Sequence, residues 1–143
     1  MTANSSRSED VGDAARVLVI DDHPAILKLV KAFSGRAGLS PAWFHGVGGV
    51  SEAADWLREN VPELVLLDGR LPDIADFRDS LERLSGLYDG PIILLTGLVP
   101  GSLGDHAIDS RLHSAMSKDE IGNGGLTQLI ADLLEAEEAL SAA

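Results

Sequence analysis

The chain has 143 residues, 45% of them apolar, which is enough for one domain with a sizeable core and argues against a disordered chain. It has no cysteine, so disulfides and thiolate metal sites are excluded. Its 23 acidic and 11 basic residues give a net charge of −12, which argues against direct binding to nucleic acid. The N-terminus lacks the apolar core of a signal peptide and no apolar run approaches the ~20 residues of a membrane span, so we expect a cytoplasmic protein that does not bind membranes.

Residues 1–14 are polar, and their composition predicts a flexible tail ahead of one domain over residues 15–143. Beyond the tail, short apolar runs alternate with segments of helical periodicity. Pro24 suits the first turn of the first helix, Gly38 its end, and Ser51 the N-cap of the second helix. Strands are predicted at 16–22, 41–47, 63–68, 91–96 and 114–118, and helices at 24–38, 51–60, 73–87, 105–112 and 124–140.

The almost continuously apolar strands indicate a parallel sheet that is covered by helices on both faces. The first helix is expected to pack on it through Ile26, Leu29, Val30 and Phe33, which recur at helical spacing. Right-handed crossovers favour an α/β fold with a doubly wound sheet. In such sheets the functional residues gather outside the carboxyl ends of the strands.

Polar residues follow or end four of the predicted strands. They are Asp21, Asp22, Asp68, Thr96 and Lys118, and all five are expected at one edge of the sheet. Carboxylates in such proximity repel each other unless they are protonated or hold a cation, and their oxygen ligands suit Mg²⁺. A nearby hydroxyl and ammonium would then stabilise a phosphoryl group that is attached or transferred there.

Each of these residues also has a purely structural interpretation when it is taken alone. Asp21 and Asp22 suit the cap of the first helix, Thr96 is an ordinary strand-end hydroxyl, and Lys118 an ordinary solvated lysine. The four histidines show no metal-ligand spacing and are interpreted as surface or core residues. The ordered combination at the strand ends, rather than any single residue, favours a functional site.

Four motifs occur in the order found in the receiver domain of two-component response regulators. They are the acidic pair in "VLVIDDHP", the Asp in "LVLLDGRLP", the hydroxyl in "PIILLTG" and the Lys in "AMSKDE". The chain resembles this family over roughly 16–139, and most resembles receivers that precede a helix-turn-helix output domain. The resemblance implies a flavodoxin-like fold with five parallel strands in the order 2-1-3-4-5.

The resemblance also implies a role for each site residue. Asp68 would take a phosphoryl group from a phosphohistidine, and Thr96 and Lys118 would contact the phosphoryl oxygens. Such a protein is a switch that catalyses its own phosphorylation and dephosphorylation, not a conventional enzyme.

A Mg²⁺ ion is the cofactor that the resemblance implies. Asp21, Asp22 and Asp68 would hold it, with Asp22 as a direct ligand. The backbone carbonyl of Arg70 would complete the ligands that the protein supplies.

The implied partners are a sensor histidine kinase or histidine phosphotransfer protein, and a downstream protein or output domain, with a homodimer left open. Ala115 stands three residues before Lys118, where many receivers carry an aromatic residue that reports phosphorylation. This departure keeps a phosphorylation-independent binding module as an alternative. An aspartyl-phosphate phosphohydrolase is a weaker one, because Arg70 stands where those enzymes need a second Asp.

Overall fold

Five strands form one parallel sheet in the computed structural model, which describes residues 15–73, 76–97 and 110–142, with side chains up to residue 135. In chain order the strands are β1 (Val17–Ile20), β2 (Phe44–Val47), β3 (Leu64–Asp68), β4 (Ile92–Thr96) and β5 (Ser114–Ser117). They lie side by side as β2-β1-β3-β4-β5, and every neighbouring pair is parallel. The predicted flavodoxin-like order is confirmed.

Helices cover both faces of this sheet. The described helices are α1 (Pro24–Arg36), α2 (Val50–Leu57), α3 (Phe77–Ser85), α4 (Asp119–Gly122) and α5 (Gly125–Ala142). Leu18 and Ile20 of β1 pack with α2 and α3, whereas Val17 and Val19 pack with α1, α4 and α5. Successive strand residues therefore fill two separate cores, which explains the continuous apolar runs. Among the residues described, no helix is long and apolar enough to cross a membrane.

The second strand and the first helix differ from the prediction in detail. Residues Pro41–Trp43 form a short 3₁₀ helix, so β2 begins only at Phe44. Leu29 was expected in the core, but it is 45% exposed. Leu27 packs on the sheet instead, against Gly46, where an added Cβ would lie 2.6 Å from the Leu27 side chain. Gly46 thus allows α1 to approach the edge strand closely.

The third and fourth predicted helices fall partly outside the described residues. Helix α3 begins at Phe77, later than predicted, and the Asp76 side chain accepts a hydrogen bond from the Arg78 amide (2.9 Å) as its N-cap. The predicted helix at 105–112 lies outside the described residues up to 109, and residues 110–112 are not helical. The predicted tail at 1–14 also lies outside them.

Helix α2 is capped by a distant carboxylate rather than by Ser51. It begins at Val50 with Gly49 as its N-cap, and the Ser51 amide donates to Asp73 Oδ2 (3.1 Å). A Cβ at Gly49 would lie 3.0 Å from both carboxylate oxygens of Asp73, so glycine leaves room for this contact. Asp73 thereby ties the loop after β3 to the start of α2.

The hydrogen bonds of this cap also favour the ionised form of Asp73. Burial opposes ionisation of Asp73, but hydrogen bonds from the Ser51 and Val50 amides outweigh it and lower the pKa of the carboxyl group. Because the pKa is lowered in the fold, this stabilisation is present at neutral pH and is lost as the pH falls through the folded-state value.

We expect Asp73→Ala to lower the free energy of unfolding by about 1 kcal/mol at pH 7, since it removes an N-cap acceptor. Urea denaturation at pH 7 measures this loss, with the exposed Glu59→Ala as a control for the removal of one negative charge from the chain. An equal loss in both variants would contradict the capping role.

Candidate functional site

The carboxyl ends of four strands bring the predicted site residues to one edge of the sheet. Asp21 follows β1, Asp68 ends β3, Thr96 ends β4, and Lys118 follows β5. The Lys118 amide donates to the Thr96 carbonyl oxygen (2.7 Å), which continues the parallel pairing up to the site. A cleft of about 280 Å³ opens there, lined by His23, Asp68, Arg70, Thr96, Gly97 and Lys118.

Three carboxylates meet beside this cleft. Asp21, Asp22 and Asp68, together with His23, each offer one ligand atom, and these atoms all lie within 4.8 Å of one another. Asp68 is only 4% exposed, whereas the side chain of Asp22 is about one-third exposed. The structure therefore brings together the three carboxylates that were predicted to hold Mg²⁺.

The Asp68 carboxylate has two different oxygens. Oδ1 accepts a hydrogen bond from the Arg70 amide (3.1 Å). Oδ2 is buried and has no hydrogen-bond partner among the described residues. A buried carboxylate oxygen without a partner is costly in free energy, and a divalent cation or a covalent bond would remove that cost. The residues present thus fit a hard cation.

Lys118 balances part of the negative charge. Its Nζ lies 3.1 Å from Asp21 Oδ2 and 3.4 Å from Asp68 Oδ1, so one ammonium pairs with two carboxylates. The Lys118 side chain is 21% exposed, so water screens these pairs only partly. Because Lys118 Nζ lies beside Asp68, it could also donate hydrogen bonds to the oxygens of an anionic group attached to Asp68.

Burial raises the pKa of Asp68 above its ordinary value of 3.8. The Arg70 amide lowers the pKa in part, the negative charge of Asp21 raises it, and Lys118 lowers it. The raised value means that the fold opposes ionisation of Asp68. Structural stability therefore does not explain why a carboxylate occupies this position.

Thr96 and Arg70 form the walls of the cleft. Thr96 is only 5% exposed and lies beside the glycine that follows Asp68: a Cβ at Gly69 would be 3.5 Å from the Thr96 Cβ. Arg70 is exposed, and its backbone amide already holds Asp68. The predicted roles of the Thr96 hydroxyl and the Arg70 carbonyl stay predictions.

Sequence reasoning missed the position of His23. Its Nδ1 lies 3.2 Å from Asp21 Oδ1 and 3.2 Å from Asp22 Oδ1, so this histidine belongs to the site. His23 is exposed, as expected of a surface histidine, but it is not isolated, because it lies beside the carboxylates. Spacing rules for metal ligands did not reveal the position of His23. It directly follows the acidic pair, and Asp68, the third carboxylate of the cluster, lies on another strand.

Residues 17–131 match the family model for the response regulator receiver domain. The chain belongs to this family. Receiver domains bind Mg²⁺ at an acidic pocket and in general act as phosphoacceptor switches rather than as conventional enzymes. A proposed transcriptional regulator of Pseudomonas aeruginosa is 30% identical over 107 residues, which cover 74% of this chain and 50% of that protein. The chain thus spans about half the length of this curated relative.

Solved receiver structures share the fold. The receiver domain of a Francisella response regulator superposes with a TM-score of 0.68 at 19% identity, covering 85% of this chain and 97% of that one. The Thermotoga maritima response regulator TrrA, in complex with Mg²⁺ and BeF, has a TM-score of 0.66 at 24% identity, covering 83% of this chain and 98% of that one.

Proposed function

We propose that the protein is a phosphorelay switch in which Asp68 accepts a phosphoryl group from a phosphohistidine on a sensor kinase or phosphotransfer protein. The observation that carries this proposal is Asp68 Oδ2, a buried oxygen without a hydrogen-bond partner among the described residues, on a carboxylate that lines an open cleft. A buried oxygen without a hydrogen-bond partner does not stabilise the fold. A nucleophile, in contrast, needs an oxygen whose lone pair is not already held by a donor.

The transfer is a displacement at phosphorus. A carboxylate oxygen of Asp68 forms a bond to phosphorus, the P–N bond to the donor histidine breaks, and its electron pair stays on the imidazole nitrogen, which then takes up a proton. Lys118 and the Thr96 hydroxyl stabilise the oxygens of the transferred group. The Arg70 amide keeps Asp68 in place during the transfer.

A Mg²⁺ ion would be held by Asp21, Asp22 and Asp68, with the backbone carbonyl of Arg70 as a further ligand. When bound, it neutralises negative charge on the phosphoryl oxygens. Without it, Lys118 is the cation paired with Asp68, so phosphorylation is expected to depend on the metal. The phosphorylated state then signals to a downstream protein or output domain through contacts that differ between the two states.

Intact mass spectrometry after incubation with acetyl phosphate or phosphoramidate tests this function. The wild type is expected to gain one phosphoryl group with Mg²⁺ and none with EDTA. Asp68→Asn is expected to gain none under either condition. Asp73→Asn is the matched control, because Asp73 lies in the same loop but caps α2, and it is expected to be modified like the wild type.

The absence of any adduct on the wild type would contradict the proposal. The alternative is then a binding module that acts without phosphorylation. Ala115, half-buried beside the core in the place of the aromatic residue of many receivers, is the observation that favours it.

A further inference from the structure

His23 turns its imidazole toward the carboxylates rather than away from them. It is the N-cap residue of α1, and its backbone amide donates to Asp21 Oδ1 (2.8 Å). This hydrogen bond folds the chain back on itself, so that Nδ1 comes within 3.2 Å of Asp21 Oδ1 and of Asp22 Oδ1. The ring also lines the cleft that contains Asp68.

These separations suit the coordination sphere of one divalent ion. With ligands about 2.1 Å from an octahedral cation, adjacent ligand atoms lie about 3.0 Å apart and opposite ones about 4.2 Å apart. The two separations of 3.2 Å from Nδ1 correspond to adjacent positions. All the candidate ligand atoms lie within 4.8 Å of one another, slightly more than the distance of about 4.2 Å between opposite ligands. Small side-chain rotations would remove this difference.

A second observation points to a bound cation, independently of the clustering of acidic side chains. Asp68 is 96% buried, and its Oδ2 has no hydrogen-bond partner among the described residues. The side chains of Asp68 and Asp21 are the buried ones in the group that contains His23. The cluster thus combines a buried carboxylate oxygen that has no hydrogen-bond partner among the described residues with an exposed imidazole.

We propose that His23 Nδ1 is a ligand of the metal site and makes it favour a first-row transition dication over Mg²⁺. The proposal extends the metal site of the proposed function by one residue. Oxygen ligands alone suit both Mg²⁺ and Mn²⁺. An imidazole nitrogen adds little to the binding of Mg²⁺, whereas it strengthens the binding of transition dications, least for Mn²⁺ and more for the later ions.

The substitution His23→Gln tests this selectivity, because it replaces a nitrogen donor with an oxygen donor. Binding of Mn²⁺ is measured from the electron paramagnetic resonance signal of the free ion, and binding of Mg²⁺ by its competition with Mn²⁺. We expect the affinity for Mn²⁺ to fall about tenfold in His23→Gln while that for Mg²⁺ changes less than about twofold. His113→Gln is the matched control, since His113 lies before β5, at the opposite end of the sheet.

Pulsed paramagnetic resonance on the Mn²⁺-loaded protein gives an independent measurement. We expect a ¹⁴N coupling in the wild type and in His113→Gln that is absent in His23→Gln. A missing ¹⁴N coupling in the wild type, or an unchanged ratio of the two affinities in His23→Gln, would overturn the role of His23.

Asp22→Asn separates this inference from the proposed function. If it weakens both metals while His23→Gln weakens neither, the carboxylate site stands and the histidine ligand is wrong. If neither metal binds the wild type, the metal site of the proposed function fails together with the inference.

Discussion

Replacing Asp68 with asparagine is expected to raise the free energy of unfolding of the metal-free protein by about 1–3 kcal/mol at pH 7. Asp68 is buried, one of its oxygens has no hydrogen-bond partner among the described residues, and Asp21 adds a second negative charge beside it. Asparagine has nearly the same shape without the charge. The same substitution is expected to abolish phosphorylation, so stability and function change in opposite directions.

The pH dependence of this difference has a definite sign. Burial raises the pKa of Asp68, so the folded state binds its proton more tightly than the unfolded state does. The contribution of Asp68 to the free energy of unfolding is then fully present below its ordinary pKa of 3.8. It is lost as the pH rises through the raised pKa of the folded state. The advantage of Asp68→Asn should therefore be largest at pH 7 and should shrink as the pH is lowered.

Urea denaturation with EDTA, repeated at several pH values, measures this advantage. Because the chain has a net charge of −12, removing any negative charge relieves some repulsion. The exposed Glu59→Gln corrects for that general effect. If Asp68→Asn were no more stable than Glu59→Gln, the prediction that the buried charge of Asp68 destabilises the fold would be contradicted.

Replacing Lys118 with methionine is expected to lower the free energy of unfolding of the metal-free protein by about 2 kcal/mol. Lys118 is the ammonium that pairs with both Asp21 and Asp68, and its removal leaves these buried carboxylates without that counter-charge. The predicted loss is below the range for fully buried pairs, because Lys118 is 21% exposed.

A divalent cation should replace part of the missing charge. We expect Mg²⁺ to stabilise Lys118→Met more than it stabilises the wild type, where the metal competes with the ammonium. Phosphorylation of the variant should still be slower, by about tenfold or more, because one cation is lost from the transferred group.

Thermal unfolding with and without Mg²⁺, and the rate of adduct formation, measure these effects. Lys28→Met is the matched control, since Lys28 is an exposed lysine of α1. Equal stabilisation of Lys118→Met and the wild type by Mg²⁺ would contradict competition between the metal and Lys118.

The sheet and the edge that carries the site could be predicted because local patterns determine them. A strand such as Leu64–Asp68, buried on both faces, must be apolar almost throughout, so its terminal carboxylate is conspicuous. Parallel strands then bring their carboxyl ends to one edge, whatever the details of the packing. The convergence of Asp21, Asp68, Thr96 and Lys118 follows from topology alone.

The features that were missed depend on contacts between distant parts of the chain. Ser51 is a good N-cap by its sequence, but Asp73, 22 residues further along the chain, supplies the acceptor for its amide. Leu29 fits the apolar period of α1, yet the helix is rotated so that Leu27 packs against Gly46. Neither contact can be predicted from the sequence of one segment, because each depends on which residue of a distant element packs against it.

The chemical identity of the modified residue tests the central claim most directly. The protein is incubated with phosphoramidate and Mg²⁺ and then reduced with borohydride, which converts an aspartyl phosphate to homoserine, and peptide mass spectrometry locates the product. We predict homoserine at residue 68 and at no other aspartate. Homoserine at Asp21, Asp22 or Asp73, or a phosphoryl adduct that borohydride does not reduce, would contradict the assignment of Asp68 as the phosphoacceptor.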